Sequence, residues 1–400
     1  MSDLESKVKI ALEKGEGVLR LFPNWVPRAF CIPGRRLKLH PDDYYSFGTH
    51  RGGIDERWFC STTKADNGPE TLEDEGLSYI YVEIDAKKEK VLLKDAVDVM
   101  GGEIIGKKTM DKFGSWPMYS KFFDNLEPLP FHLHQDNEKA AKVGRKGKPE
   151  GYYFPKQLNN HPGYFPHTYF GLNPGTSKED VKKCLDLWDV KDNGITSLSR
   201  AYILTLGTGW DVPPGVLHAP GSLLTYEPQF ASDVFSMFQN FAWNKYIPRD
   251  LLVKDVPEAK KNDLDYIVDM INWDLNLDPN FYKNRFLAPK PVKPLEDMRE
   301  MGYEEYQIIY NSDAYSAKEL TIFPNKSIEI KESSAYGIIV IQGYGKFGPL
   351  DIESPAMIKF GAMTNDELFI TAEAAQEGVI IKNESNRDNL VMLKHIGPKL

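Results

Sequence analysis

His132-Leu133-His134 sets two imidazoles in one apolar run bounded by Pro130 and Gln135. Alternate side chains of an extended strand share a face, so both rings point one way and Leu133 the other. Chance alone supplies about 0.16 such pairs in a chain of this histidine content, so an H-x-H carries little by itself. Two further features add to it. Glu150, within Lys148-Pro149-Glu150-Gly151-Tyr152-Tyr153-Phe154, sets a carboxylate at the start of the next strand-like run. His218 follows the rigid turn Pro213-Pro214-Gly215 into another strand. Three imidazoles and one carboxylate from adjacent strands of a barrel can enclose a divalent ion and leave positions open for water or substrate.

The elements that must position these residues are mostly strands. From Phe131 to Phe241 short apolar stretches recur between Gly/Pro turns, a spacing that suits a β-sandwich or barrel. Residues 78–84 form a clear β-type run, and residues 93–102 read as a helix closed by a glycine pair. One helix interrupts the strands after Asn173-Pro174-Gly175. Thr176 and Glu179 have capping-box spacing there, and Val181, Leu185 and Trp188 recur at helical intervals. Residues 249–287 turn helical, with Leu264, Ile267, Val268 and Ile271 on one face, as an insertion or appendage. The Pro-rich stretch 288–297 reads as an extended linker. Strands resume over 303–400, including Met357–Gly361, so the chain is expected to be mainly β, with two stacked jelly-roll-like domains.

Composition narrows the function classes. A net charge of −9 argues against nucleic-acid or anionic-membrane partners. Cys31, Cys60 and Cys184 are odd in number and far apart, which suits neither a disulfide framework nor a cysteine zinc site. The N-terminus is amphipathic, with Leu4, Val8 and Leu12 four apart, and lacks the apolar core of a signal peptide. A soluble cytoplasmic protein is expected.

The order H-x-H, then Lys148-Pro149-Glu150, then Pro213-Pro214-Gly215 followed by His218-Ala219, resembles the cupins and, among them, the type I phosphomannose isomerases. Five further pieces occur in the same order. They are Ile54-Asp55-Glu56-Arg57-Trp58 with Asn67-Gly68; Trp116-Pro117 through Lys121-Phe122; Glu127-Pro128-Leu129; Tyr169-Phe170-Gly171-Leu172-Asn173-Pro174-Gly175-Thr176; and Tyr226-Glu227 with Ser232-Asp233.

The resemblance implies a division into an N-terminal segment 1–113 packed on the first cupin, a metal-binding catalytic cupin 114–245, a helical segment and linker 246–300, and a C-terminal cupin 301–400 without a metal site. It implies a metal-dependent aldose–ketose isomerase that converts mannose 6-phosphate to fructose 6-phosphate through a cis-enediol. The implied ligands are His132, His134, Glu150 and His218, holding zinc, with manganese or iron as alternatives. His132 departs from the family's usual glutamine. Lys148 matches the lysine beside the glutamate ligand, for oxygen polarisation or proton transfer; the alternative is a solvated turn lysine. Glu227 matches a glutamate on the strand after the last ligand, for acid–base work or hydroxyl binding; the alternative is a structural ion pair.

A second departure bears on the substrate. The family carries an arginine four residues after the Ser-Asp aspartate, and here that position is Met237, which can neither pair with phosphate nor stabilise an anion. Either Arg145 or Lys146 substitutes for it, or the substrate is an unphosphorylated sugar. Other readings are a non-catalytic sugar-binding cupin and an iron-dependent dioxygenase. His40, His50, His161 and His167 lie in loops and read as surface or packing residues, although Tyr164-Phe165-Pro166-His167 could line a sugar pocket. Between Ala219 and Lys394 there is no histidine. The C-terminal block is therefore expected to be structural, covering the first or forming a homodimer surface.

Overall fold

The computed structural model describes residues 3–159 and 166–399. His161, Tyr164 and Phe165 lie outside them. The N-terminal amphipathic pattern is the helix Asp3–Gly15, with Val8 fully buried and Asp3 and Glu5 in the first turn, where they favour the helix dipole.

Two pairs of sheets, with two small two-stranded sheets beside them, form the β-structure of the described residues. In the first pair, a seven-stranded antiparallel sheet runs in the order Phe286–Leu287, Gly209–Val212, Glu150–Tyr153, Thr225–Phe230, Met118–Phe123, Gly53–Phe59, Asn24–Arg28. Its partner has five strands, Ser199–Ile203, His167–Leu172, His218–Ala219, His132–Leu133 and Ser236–Met237. Phe123, Tyr152 and Trp210 of the larger sheet meet Phe170 of the smaller in one buried aromatic cluster.

The second pair has seven and four strands. The larger includes Glu367–Ile370, Tyr336–Gln342, Leu390–Ile396, Ser316–Ile322 and Tyr303–Ile309, and the N-terminal strand Val18–Arg20 extends its edge by pairing with Glu367–Ile370. The two large sheets pack back to back through one core that contains Phe122 and Tyr226 from one and Ile339, Phe369 and Leu393 from the other. Burial of each such side chain contributes about 1.5–3 kcal/mol. Gly151 permits this contact, because a Cβ there would stand 2.9 Å from Ile309.

Several expectations shift in detail. The capping box before helix Lys178–Leu185 is Ser177 with Asp180, not Thr176 with Glu179. Both pairs have the required spacing, and the helix starts one residue later than the first pair demands. In the Pro-rich stretch, Lys290–Pro291 pairs with Tyr306 and Gln307 as an edge strand. Met357–Gly361 forms no strand; Ile358 makes a single bridge to Leu39. Residues 249–287 hold a series of short helices, with Ile267, Val268 and Ile271 buried as the pattern required. No helix among the described residues is long and apolar enough to cross a membrane.

Candidate functional site

His132 and His218 lie directly opposite each other in neighbouring antiparallel strands, and Met237 faces His132 on the other side. The H-x-H alternation holds. His132 and His134 share a side, with ring centroids 5.1 Å apart, while Leu133 is buried in a separate apolar cluster behind them. Glu150 reaches the same point from the opposite sheet. The turn before His218 depends on Gly215, whose φ of 78° lies in the left-handed region open to glycine. Asn276 buckles that turn, accepting from Leu217 N at 2.9 Å and donating to Gly215 O at 2.7 Å.

Each imidazole has its Nδ1 tied to a backbone carbonyl: His132 to Pro130 at 2.7 Å, His134 to Val234 at 2.7 Å, and His218 to Val216 at 2.8 Å. Nδ1 therefore carries the proton, and Nε2 presents a lone pair. Burial holds His134 neutral, pushing it down to about 4, and burial with the neighbouring rings pushes His132 well below its ordinary value. Yet Nε2 of His134 lies 3.0 Å from one Glu150 oxygen, and Nε2 of His218 lies 3.1 Å from the other. Acceptor faces acceptor, fully buried. His218 Nε2 has no hydrogen-bond donor among the described residues, while Lys148 Nζ lies 2.8 Å from Glu150 Oε2 and 3.3 Å from His134 Nε2. A cation among the facing acceptors would satisfy them, so the residues fit a divalent metal; three imidazole nitrogens, with the Glu150 carboxylate beside two of them, are a zinc-type donor set.

Burial opposes ionisation of Glu150, but His134 and the Lys148 ammonium hold it well below the usual carboxylate range. Tyr152 donates its hydroxyl to the same carboxylate. Lys148 is 3 % exposed, so it is no solvated turn lysine. Its Nζ lies 2.8 Å from Glu150 and 3.4 Å from Glu227. Glu227 is fully buried and also faces Lys121 at 3.3 Å. Burial, and then the charge of Glu150, push the Glu227 carboxyl up to about 8. A bound cation would oppose that shift.

All six residues expected from the sequence line one small cavity of about 30 Å³ or adjoin it through these contacts. Four cationic and acidic neighbours were not expected there. Arg28 joins Glu56 and Asp233, each at 3.2 Å, and Lys121 joins Glu56 at 3.1 Å. Glu56, Lys121 and Asp233 stand inside motifs that the sequence displays, whereas Arg28 has no sequence signal. Met237 is buried beside Phe30, Leu129 and Phe235, an apolar wall. Arg145 does not line this cavity; it stands outside, paired with Asp66 at 2.6 Å and Asp255 at 3.3 Å. Lys146 lines a separate cavity near Trp116 and Phe230.

Of the loop histidines, His40 accepts from Asp42 N, and His50 lies 3.3 Å from Glu70 on the surface. His167 begins a strand. None of these joins the three-histidine group.

In sequence, no family model and no curated protein matches the chain. In structure, a zinc-bound mannose 6-phosphate isomerase superposes with a TM-score of 0.64 at 12% identity, covering 96% of this chain and 100% of the other. The mannose 6-phosphate isomerase of Bacillus subtilis gives 0.59 at 16%, covering 95% and 99%. A single-residue variant of phosphomannose isomerase from Salmonella typhimurium gives 0.61 at 13%, covering 96% and 100%. The chain shares the fold of these proteins over nearly its whole length.

Proposed function

We propose that this chain is a metal-dependent aldose–ketose isomerase built on two cupin domains. The first, over 114–245, binds a divalent ion through His132, His134, Glu150 and His218, zinc being preferred and manganese or iron acceptable. The second, over 301–400, is structural; residues 246–300 brace the first. One observation carries the reading: three lone-pair nitrogens converge, with the Glu150 carboxylate facing two of them, beside a buried lysine and glutamate. The shared fold with mannose 6-phosphate isomerases supports it. Three free cysteines, two of them buried, support a reducing, cytoplasmic setting.

The bound ion would supply Lewis-acid stabilisation of the enediolate oxygen. The chain's own groups do the rest. Glu227, held between Lys148 and Lys121, takes the proton from C2 of the open-chain aldose and returns it at C1. Lys148 gives a proton to O1 and recovers one from the O2 hydroxyl, and its charge steadies the enediolate between the two transfers. The apolar side formed by Phe30, Leu129, Phe235 and Met237 keeps water from the enediol. Mannose 6-phosphate to fructose 6-phosphate is the reaction named by the structural neighbours; the apolar surroundings of Met237 favour an unphosphorylated aldose as the second reading.

Metal analysis and isotope exchange test this together. Purified protein should hold one zinc-type ion per chain and wash deuterium from heavy water into C2 of its aldose. Absence of both metal and exchange, across mannose 6-phosphate, mannose and lyxose, would refute the proposal.

A further inference from the structure

A groove of about 560 Å³ shares no lining residue with the histidine cavity. That volume falls within the range of ~300–1,000 Å³ typical of ligand sites. The last turn of helix Asp3–Gly15, the edge strand Val18–Arg20, the hairpin of Tyr79–Ile84 with Lys87–Leu92, and parts of the C-terminal block form its walls.

Its charges are unbalanced. Three cations line it, Lys14, Arg20 and Lys88, and none of them forms an ion pair among the described residues. Arg20 donates to Asn365 Oδ1 and, at 2.7 Å, to the Asp351 carbonyl, while Lys14 donates at 2.8 Å to the Glu83 carbonyl. All three acceptors are neutral. The two carboxylates of the groove are turned to other partners: Asp351 joins Lys346 at 2.5 Å, and Glu83 accepts from the Tyr81 hydroxyl at 2.6 Å. Burial therefore prevails at Arg20 and pulls its pKa below the ordinary arginine value. A cation drawn out of water without a counter-charge is costly, and an anion in the groove would remove that cost. This excess of unpaired positive charge stands on a chain of net charge −9, so it is no general property of the surface.

The donors select the anion. After its two bonds to neutral oxygens, the Arg20 fork keeps three of five N–H groups, a geometry that matches two oxygens of one phosphate. Two ammonium groups on flexible stems add charge for a third oxygen. A phosphate monoester carries about −1.5 to −2 at pH 7, closer to the three charges than one carboxylate comes. Val18, Leu350 and Met363 offer apolar surface to its organic part.

We infer that this groove binds a phosphate monoester, its phosphate against Arg20, Lys14 and Lys88 and its organic part against Val18, Leu350 and Met363. The inference does not rest on the isomerase reading.

Calorimetric titration of the intact protein with phenyl phosphate, which has no aldose to isomerise, tests it. Phenyl phosphate should bind, less tightly as salt is raised, and benzoate should bind about tenfold more weakly or worse. Arg20→Gln should weaken phenyl phosphate by about tenfold or more, as loss of a bidentate charged pair requires. Because Arg20 also ties Asn365 to Asp351, Lys88→Gln provides a second variant. Lys88 is exposed, so the fold should tolerate its loss while binding drops by about threefold. Undiminished binding in both variants would place the phosphate elsewhere and overturn the inference. No binding at all, or benzoate binding as tightly, would overturn it too. None of these results touches deuterium exchange at C2, so the isomerase reading stands or falls separately.

Discussion

At the scale of single residues, the proposed function would separate groups that hold an ion from groups that move protons. His134 Nε2 and Glu150 face each other at 3.0 Å, so removing either leaves the other without its shared partner. Lys148 reaches Glu150 at 2.8 Å and His134 Nε2 at 3.3 Å, and as an ammonium it pairs with the carboxylate and has no lone pair to ligate with. His134→Ala should therefore lose the ion on dialysis, as read by metal analysis. Lys148→Gln should keep it and lower kcat by about 10²–10⁴-fold, the usual contribution of a positioned proton-transfer group. Equal loss of metal in both variants would contradict the division of roles. The ligand candidates were legible in the sequence because each sits in a local pattern: an H-x-H alternation, a K-P-E turn, a P-P-G turn before a histidine. Arg28 was not, and Lys121, although inside a displayed motif, gave no sign of its partner. Lys121 reaches Glu227 only because the two are opposite each other in paired strands, and no spacing along the chain encodes that register.

At the scale of elements, the sequence displayed helices after residue 249 but not their purpose. The periodic residues Ile267, Val268 and Ile271 announce a buried face. Asn276 announces nothing, since a polar residue on a short helix usually faces water. Here it is fully buried at the end of helix Trp273–Asn276, and its amide bonds both Leu217 N and Gly215 O on the turn that delivers His218. Asn276→Ala orphans the Leu217 N–H, a buried donor worth about 1–3 kcal/mol, whereas Gly215 O keeps its bond from Asn272 N at 2.9 Å. Urea unfolding should show a loss of about 1–3 kcal/mol. Metal affinity should fall by about 10–100-fold, as for other residues that orient a ligand from behind. An Asn276→Ala protein with unchanged metal affinity would show that the helix merely covers the sheet. The helical segment is thus better described as a brace than as an appendage.

At the scale of the whole molecule, the two large sheets are joined by ion pairs as well as by packing. Arg57, on the strand Gly53–Phe59, grips Asp366 with two hydrogen bonds of 2.8 Å and approaches Glu367 at 3.4 Å. Glu367 also accepts from Cys60 N at 3.1 Å and is fully buried. Burial outweighs Arg57 and, with Asp366 adding repulsion, pushes Glu367 up to about 8. The folded state therefore binds this proton more tightly than the unfolded chain does, whose glutamates titrate near ~4.3. The resulting stabilisation is complete below the unfolded pKa and is lost as pH rises through about 8. Glu367→Gln keeps the neutral shape and removes the titration. Unfolding of wild type and variant, compared between pH 5 and 8.5, should show the variant gaining on wild type as pH rises, by on the order of a few kcal/mol. The difference between the two proteins isolates Glu367 from every other titrating group. A difference that stays flat across this range would mean that Arg57 holds Glu367 ionised throughout, and that the junction is a three-charge cluster rather than a single ion pair beside a neutral acid.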